Sequence, residues 1–419
     1  MEENKYINRF IKIYPFLRGF TDDLLFFVAI DTLFFTIAKG LTVQQIVFLT
    51  TISSIASLIG RITIVKIIQK IGNTYSARVG MGLLLLSSII ITFGKSYSWI
   101  MIGKICYQIA WVFKDMENIM LKNNLEIIGK SDDYAKITSK GMTIYAFLTL
   151  IVSLTASFLF NINPNLPMYL CIAICLIAFI IYFFMKDISK NNIIKRENNN
   201  CKKKKIKINK VVWLIILSYA VFFGIIVTGQ QNTKLLIQYE LSNILDIEKV
   251  SIYLGLIVAI SRVSRLIGSF SFGKVYYKIR NRALLILIGF LFTSFVFTVL
   301  GFFAKVELLR FILMTIGFCI ILAVRDPFRL YINDIVLKIC KTSEKQKAIS
   351  YVEFGKKTGT TICSFIVSAV LLKWKIIYVI IGIGVLSIME IFIAIKLYLM
   401  LTVKSKDNNA TEVKEKVKI

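Results

Sequence analysis

Leu58-Ile59-Gly60, followed by Lys66, Lys70, Ile71 and Asn73, is a stretch that the chain writes twice. Leu266-Ile267-Gly268, Lys274, Lys278, Ile279 and Asn281 repeat it at a constant offset of 208 residues. Further on the offset is 211: Asp115 is matched by Asp326, Lys130 by Lys341, Lys136 by Lys347 and Ser139 by Ser350. The matches are dense and collinear. Each copy lies in the same setting, an apolar span followed by a short basic loop. Self-similarity at one long period marks a duplicated unit, so the chain reads as two fused copies of one apolar helical unit.

Composition says where such a unit lives. Hydrophobic residues make up 57% of the 419 residues and charged residues 18%, too much of the one and too little of the other for an ordinary soluble domain. Runs of about 20 apolar residues recur, the length of a helix that crosses a bilayer core. The net charge of +28 sits in the loops between these runs, where the positive-inside rule places it. It is therefore not read as a nucleic-acid footprint. The absence of histidine removes His-based acid-base chemistry, His metal sites and His pH sensing. None of the seven cysteines forms a C-x-x-C pair. Cys171 and Cys175 share a helix face and read as small apolar fillers, not as a metal site or a disulfide. No G-x-x-x-x-G-K-[ST] sequence appears, so no ATP hydrolysis is expected. Nothing in the pattern calls for a cofactor. The first apolar span is full length and lacks a small-residue cleavage pattern, so it is expected to remain as a membrane helix.

Twelve spans are expected, at roughly 17–38, 44–66, 77–96, 98–118, 139–160 and 166–185, then 211–233, 250–272, 283–303, 306–326, 349–371 and 376–399. The organisation is a six-helix bundle over 1–185, a basic linker over 186–210, a second bundle over 211–400 and a tail over 401–419. The linker carries Lys202-Lys203-Lys204-Lys205, able to meet anionic lipid headgroups. Basic residues fill alternate loops: Lys70 and Arg78, then Lys122, Lys130 and Lys136, then Lys274, Lys278, Arg280 and Arg282, then Lys338, Lys341, Lys345 and Lys347. The intervening loops are short and poor in charge. Both termini and the linker are thus expected on the cytoplasmic side. An even number of spans per half gives both halves one orientation, a parallel repeat. The fold expectation is all-α and polytopic.

With this layout the chain resembles the major facilitator superfamily over nearly its whole length. The loop signature of that family, Gly-x-x-x-Asp-x-x-Gly followed by basic residues, is degenerate here. Gly273 matches its first glycine, while Tyr277 replaces the acid and Arg280 the second glycine. In the first copy Val65 replaces the first glycine and Gln69 the acid, Gly72 matches the second glycine, and Arg78 follows. The acid of the cytoplasmic salt bridge is missing from both copies. The resemblance implies alternating access, with the first, fourth, seventh and tenth spans lining a central cavity. It also implies a bacterial multi-pass plasma-membrane protein, a small-molecule substrate and no enzyme activity.

Charges within the bilayer are costly and usually face a cavity or a partner. Asp31, near the middle of the first span, is the candidate proton-coupling carboxylate; the competing reading is a structural ion pair. Asp22 and Asp23 read as interfacial. Arg262 and Arg265 lie three apart on the eighth span, on one helix face. The matching first-half positions are Ser54 and Ser57, so the pair is not common scaffold. Two guanidinium groups suit a carboxylate or phosphate; pairing with an acid is the alternative. Gln108 on the fourth span and Gln230, Gln231 and Asn232 on the seventh complete the candidate substrate set. The glutamine pair resembles one in sugar-transporting members of the family, without the rest of their pattern. Lys114, Asp115 and Glu117 on the fourth span, with Arg325 and Asp326 on the tenth and Glu353 and Lys357 on the eleventh, form a candidate inner gate. Glu390, on the twelfth span, has no role in this reading.

The expected function is secondary transport of a small solute, an organic anion through Arg262 and Arg265, driven by protons through Asp31, by a monomer. A multidrug/H+ exporter working through Asp31 stays open. So do two readings of another class, a non-transporting membrane receptor and a lipid-modifying membrane enzyme. The loop charges also fix a topology that labelling checks. A single cysteine placed at residue 163 is expected to react with a membrane-impermeant maleimide from outside intact cells; reaction only after permeabilisation overturns the topology.

Overall fold

The computed structural model describes residues 2–130, 133–188, 210–279, 282–339 and 345–416. The lysine run of the linker and Lys341 lie outside them. Every regular element among the described residues is helical: α1 (Glu2–Thr21), α2 (Leu25–Leu33) with a π-helical turn (Phe34–Ala38), α3 (Val43–Phe93), α4 (Tyr97–Lys114), α5 (Met116–Ile127), α6 (Asp133–Ile162), α7 (Leu166–Phe183), α8 (Lys210–Ser242), α9 (Ile247–Ile279), α10 (Ala283–Phe303), α11 (Glu307–Ile339), α12 (Lys345–Leu371) and α13 (Ile376–Lys416).

Nine helical stretches among the described residues are long and apolar enough to cross a membrane. They cover nine of the twelve expected spans. The first, fourth and eleventh fall short for a physical reason. The first span is not one helix: α1 stops at Thr21 and α2 starts at Leu25. The expected continuous helix over 17–38 is corrected here. In the gap, Asp23 Oδ1 accepts the N–H of Leu24 at 2.8 Å, a local bond that competes with the helix ladder. Lys104, Gln108 and Lys114 lower the apolarity of α4, and Glu353, Lys356 and Lys357 that of α12.

α3 holds two spans. Thr42 opens it with a capping box, its side chain accepting from Gln45 N while Gln45 bonds back to Thr42. The two arms meet at Gly72, with φ 81° and ψ 169°. A side chain at this φ is strained, which accounts for the glycine matched in the family signature.

The chain divides into two compact units, Met1–Lys203 with Leu241–Ala259, and Lys204–Glu240 with Ile260–Ile419. In the first unit the N-terminal part of α9 packs on α6. Asn161 donates to the carbonyl of Glu248 at 3.1 Å and accepts from Ser251, and Gly255 lies against Ser157. Elsewhere in this unit α3 packs on α4, and α1 on α6, through glycines. A Cβ on Gly80 would stand 2.5 Å from Lys114 N, and one on Gly19 2.4 Å from a methyl of Ile144. The second unit packs α10 on α11 and α8 on α12 in the same manner. A Cβ on Gly317 would stand 2.3 Å from Thr298 Oγ1, and one on Gly359 2.1 Å from Ala220 O. Small residues at such crossings let helix backbones approach where lipid offers no hydrophobic drive between them. Large aromatic side chains fill the space behind: Phe222 and Phe328 stack at 3.4 Å between centroids, with Tyr219 and Phe223 beside them.

A polar knot closes one end of the first unit. Asp187, 5% exposed, accepts at Oδ2 from Asn73 (2.8 Å) and Asn123 (2.9 Å), and its N–H donates to Thr74 at 2.9 Å. Asn124 donates to Lys186 O and accepts from Ile188 N, both at 3.0 Å. Arg78 donates to the last carbonyls of α7, Phe183 at 2.8 Å and Tyr182 at 3.2 Å, adding to the few bonds available at a helix C-terminus. Asp187 therefore brings a carboxylate to the Gly72-Asn73 loop, which has no acid of its own. Asp187→Ala is expected to destabilise the protein by about 1–3 kcal/mol, the cost of buried donors left unsatisfied. Asp187→Asn, which keeps an acceptor, should cost less. Thermal unfolding of the purified variants checks the order.

Candidate functional site

In the first unit one stripe of side chains runs along the broken first span. Asp23, Phe27, Asp31 and Phe35 recur every four residues, so Phe27, Asp31 and Phe35 share a helical face. Lys104, Tyr107 and Trp111, spaced by three and four, form the facing stripe on α4. Asp23 accepts from the Tyr107 hydroxyl as well as from Leu24 N. The Lys104 ammonium lies over three ring faces, 5.0 Å from the Tyr107 centroid, 5.1 Å from Phe27 and 5.7 Å from Phe35. The charges of Asp31 and Asp23 both act on it. Asp31 Oδ1 accepts from Thr32 N at 2.8 Å. Trp111 meets Tyr107 edge-on at 5.9 Å.

Nearby, Arg18 joins Asp22 (3.5 Å), the Tyr14 hydroxyl (2.9 Å) and Asn118. Burial holds the Tyr14 phenol well above its ordinary pKa, so Tyr14 stays a neutral donor to Asn118 Oδ1 at 2.8 Å.

The second unit holds a basic cluster. Arg265 grips Asp326 in a two-pronged pair, Nε to Oδ2 at 2.6 Å and Nη2 to Oδ1 at 3.1 Å, the strong geometry for a guanidinium and a carboxylate. Arg325 and Arg329 also act on Asp326, and the same two act on Lys356 and on Tyr219. Lys356 Nζ stands 3.4 Å from Glu353 Oε2 and 4.7 Å from the centroid of Phe223. Tyr219 donates to Glu353 Oε1 at 3.4 Å. Arg265, Arg325, Arg329 and Lys356 thus gather about Asp326 and Glu353. The first unit has no equivalent pair, because Ser57 stands where Arg265 does and Asp115 is exposed.

The other expected site residues fall as follows. Arg262 is buried one turn from Arg265. Gln108, Gln230 and Gln231 are half-buried. Asn232 is buried and donates back to Thr228 O at 2.7 Å within α8, leaving its Oδ1 without a partner. Lys114 and Glu117 pair with each other at 3.1 Å, and Tyr182 donates to Glu117; of the expected gate residues, these two are bound within the first unit. Lys357 is half-buried beside the Lys356 pair. Among the described residues no group of three or more His, Cys, Asp or Glu converges as a metal site. Sequence reading missed Asp23 and gave Lys104 no role. The four-residue spacing of acids and rings along the first span was the available signal.

A family model described as Major Facilitator Superfamily matches residues 16–336. Among solved structures the chain is similar to the nucleoside transporter NupG, at 11% identity and a TM-score of 0.70, over 94% of this chain and 99% of that one. It is also similar to a bacterial homologue of the iron transporter ferroportin in an inward-facing state, at 14% identity and a TM-score of 0.67, over 93% of this chain and 98% of that one. At such identities the likeness is one of fold. Comparison with curated proteins gives no match.

The Arg265–Asp326 pair yields a direct test. Asp326→Leu alone leaves Arg265 uncompensated among further cations and is expected to cost about 3 kcal/mol. Adding Arg265→Met removes the stranded charge and should restore most of the loss, read as recovery of the melting temperature.

Proposed function

Since the chain belongs to the major facilitator superfamily, we propose that it is a secondary active transporter moving a small organic anion by alternating access. The observation that carries the anionic substrate is the basic cluster of Arg265, Arg325, Arg329 and Lys356 around Asp326 and Glu353. Arg265 is committed to Asp326. The anion-binding role is therefore proposed for its neighbours, Arg325, Arg329 and Lys356, with Arg262 one turn away on α9. Guanidinium and ammonium groups bind carboxylate or phosphate by charge-assisted hydrogen bonds.

The topology proposed is twelve spans with both termini cytoplasmic, as two parallel six-helix repeats in a plasma membrane, working as a monomer. The recurrence of glycine-mediated crossings, α3 on α4 and α1 on α6 in one unit and α10 on α11 and α8 on α12 in the other, supports the repeat. Asp31 remains the proposed coupling carboxylate. Its cationic neighbour is Lys104 of its own unit. A proton on Asp31 would release its hold on Lys104, and the two states would bias a conformational equilibrium.

Uptake of a panel of organic anions and neutral solutes into proteoliposomes, with and without an imposed pH gradient, tests this reading. Transport is expected for an anion and not for neutral analogues. Lys356→Gln and Arg329→Gln should each raise the apparent KM about tenfold, the effect of one lost charge-assisted hydrogen bond. Asp31→Asn should abolish gradient-driven accumulation while leaving exchange measurable. Flux confined to neutral or cationic solutes refutes the anionic cargo, and full accumulation by Asp31→Asn refutes the coupling role.

A further inference from the structure

We propose that the first unit contains a binding subsite for an organic ammonium group, and that Lys104 is its tethered occupant in this structure. It rests on residues of that unit alone and stands or falls separately from the anionic cargo proposed above.

Three observations converge. First, the Lys104 ammonium meets the faces of Tyr107, Phe27 and Phe35 together, at 5.0 to 5.7 Å from their centroids. Ring faces carry negative charge density, and several rings around one cation are the usual way proteins recognise alkylammonium groups. One ring beside a lysine is commonplace; three rings make an enclosure. Second, the walls hold one another. Phe27 meets Phe35 at 5.4 Å and Tyr107 at 6.5 Å, each edge to face, and Trp111 braces Tyr107 from behind. Phe27 and Phe35 are 2% and 3% exposed, so both walls are buried against their neighbours. Third, the stripe ends in carboxylates, Asp23 on one side of Phe27 and Asp31 on the other. Asp23 is fixed by bonds from Tyr107 and Leu24, and the charges of both acids act on the ammonium. Three ring faces and the charges of two acids act on this one ammonium, the chemistry of a cation site.

The consequence is that the wild-type protein needs no external cation here. Its own side chain fills the place, and its attachment to α4 ties the charge to that helix. Without the side chain, a free ammonium ion should enter.

The probe is n-butylammonium, which reproduces the end of the lysine side chain. Thermal unfolding of purified full-length protein in detergent is followed as the probe is added, against sodium chloride at equal ionic strength. Lys104→Ala is expected to unfold below wild type and to regain about 1–2 °C at tenfold the half-saturating concentration, the rise that mass action gives a protein of this size. Wild type and Lys104→Arg should not respond beyond the salt control. Adding Asp23→Asn and Asp31→Asn to Lys104→Ala should remove the response. Should Lys104→Ala not fold, Lys104→Met keeps the stem against the rings, and methylammonium is then the probe. A saturable rise confined to the lysine-deleted proteins supports the subsite. No rise in either variant, or an equal rise in wild type, overturns it.

Discussion

A charge inside a membrane protein must be matched by another charge, a ring face or a hydrogen-bond donor, because the surrounding medium supplies none. That constraint orders both units. Lys114 and Glu117 bind each other and Tyr182; Arg265 binds Asp326; Lys104 lies within three rings; Glu390, fully buried, takes the hydroxyl of Ser218 at 2.5 Å. The last gives a residue without an expected role at least a local one: it ties α13 to α8 in the second unit.

The same constraint shapes the helices. An acid within an apolar span either finds a partner on a neighbouring helix or takes one from its own backbone. Asp23 does both and breaks the first span in two. Past the break, α2 and the π-helical turn carry Phe27 and Phe35 to the Lys104 ammonium. At the linker end of the first unit a carboxylate arrives from a distant point in sequence. Asp187 reaches back to Asn73, Thr74 and Asn123. The chemistry required there, an acceptor facing amide donors, is met by a carboxylate from another segment.

Close backbone approach is the second determinant. Gly80, Gly317 and Gly359 each sit where a methyl group would collide with a neighbouring helix. With the backbones this near, side chains at the crossings interlock and the polar groups between them are shielded. The basic cluster of the second unit depends on this: α8 and α12 meet at Gly359, which carries Tyr219 to Glu353 and Lys356 to Phe223.

The sequence by itself determined the class of the molecule. Apolar runs of bilayer length, basic loops and a long-period repeat are local properties, legible without contacts, and they led to the family. Polar residues in costly places were legible as well, which is why Asp31, Arg265 and Asp326 stood out. Pairing was not legible. Arg265 and Asp326 are 61 residues apart, Asn73 and Asp187 114 apart, and no periodicity within one helix says which face of another it meets. The continuity of the first span was misread for a related reason. An average over its length is apolar, while the break depends on one carboxylate whose partner, Tyr107, lies on a different helix. Tertiary structure therefore decided which charges are spent on each other, because that choice rests on distances of a few ångströms between segments that the sequence keeps far apart.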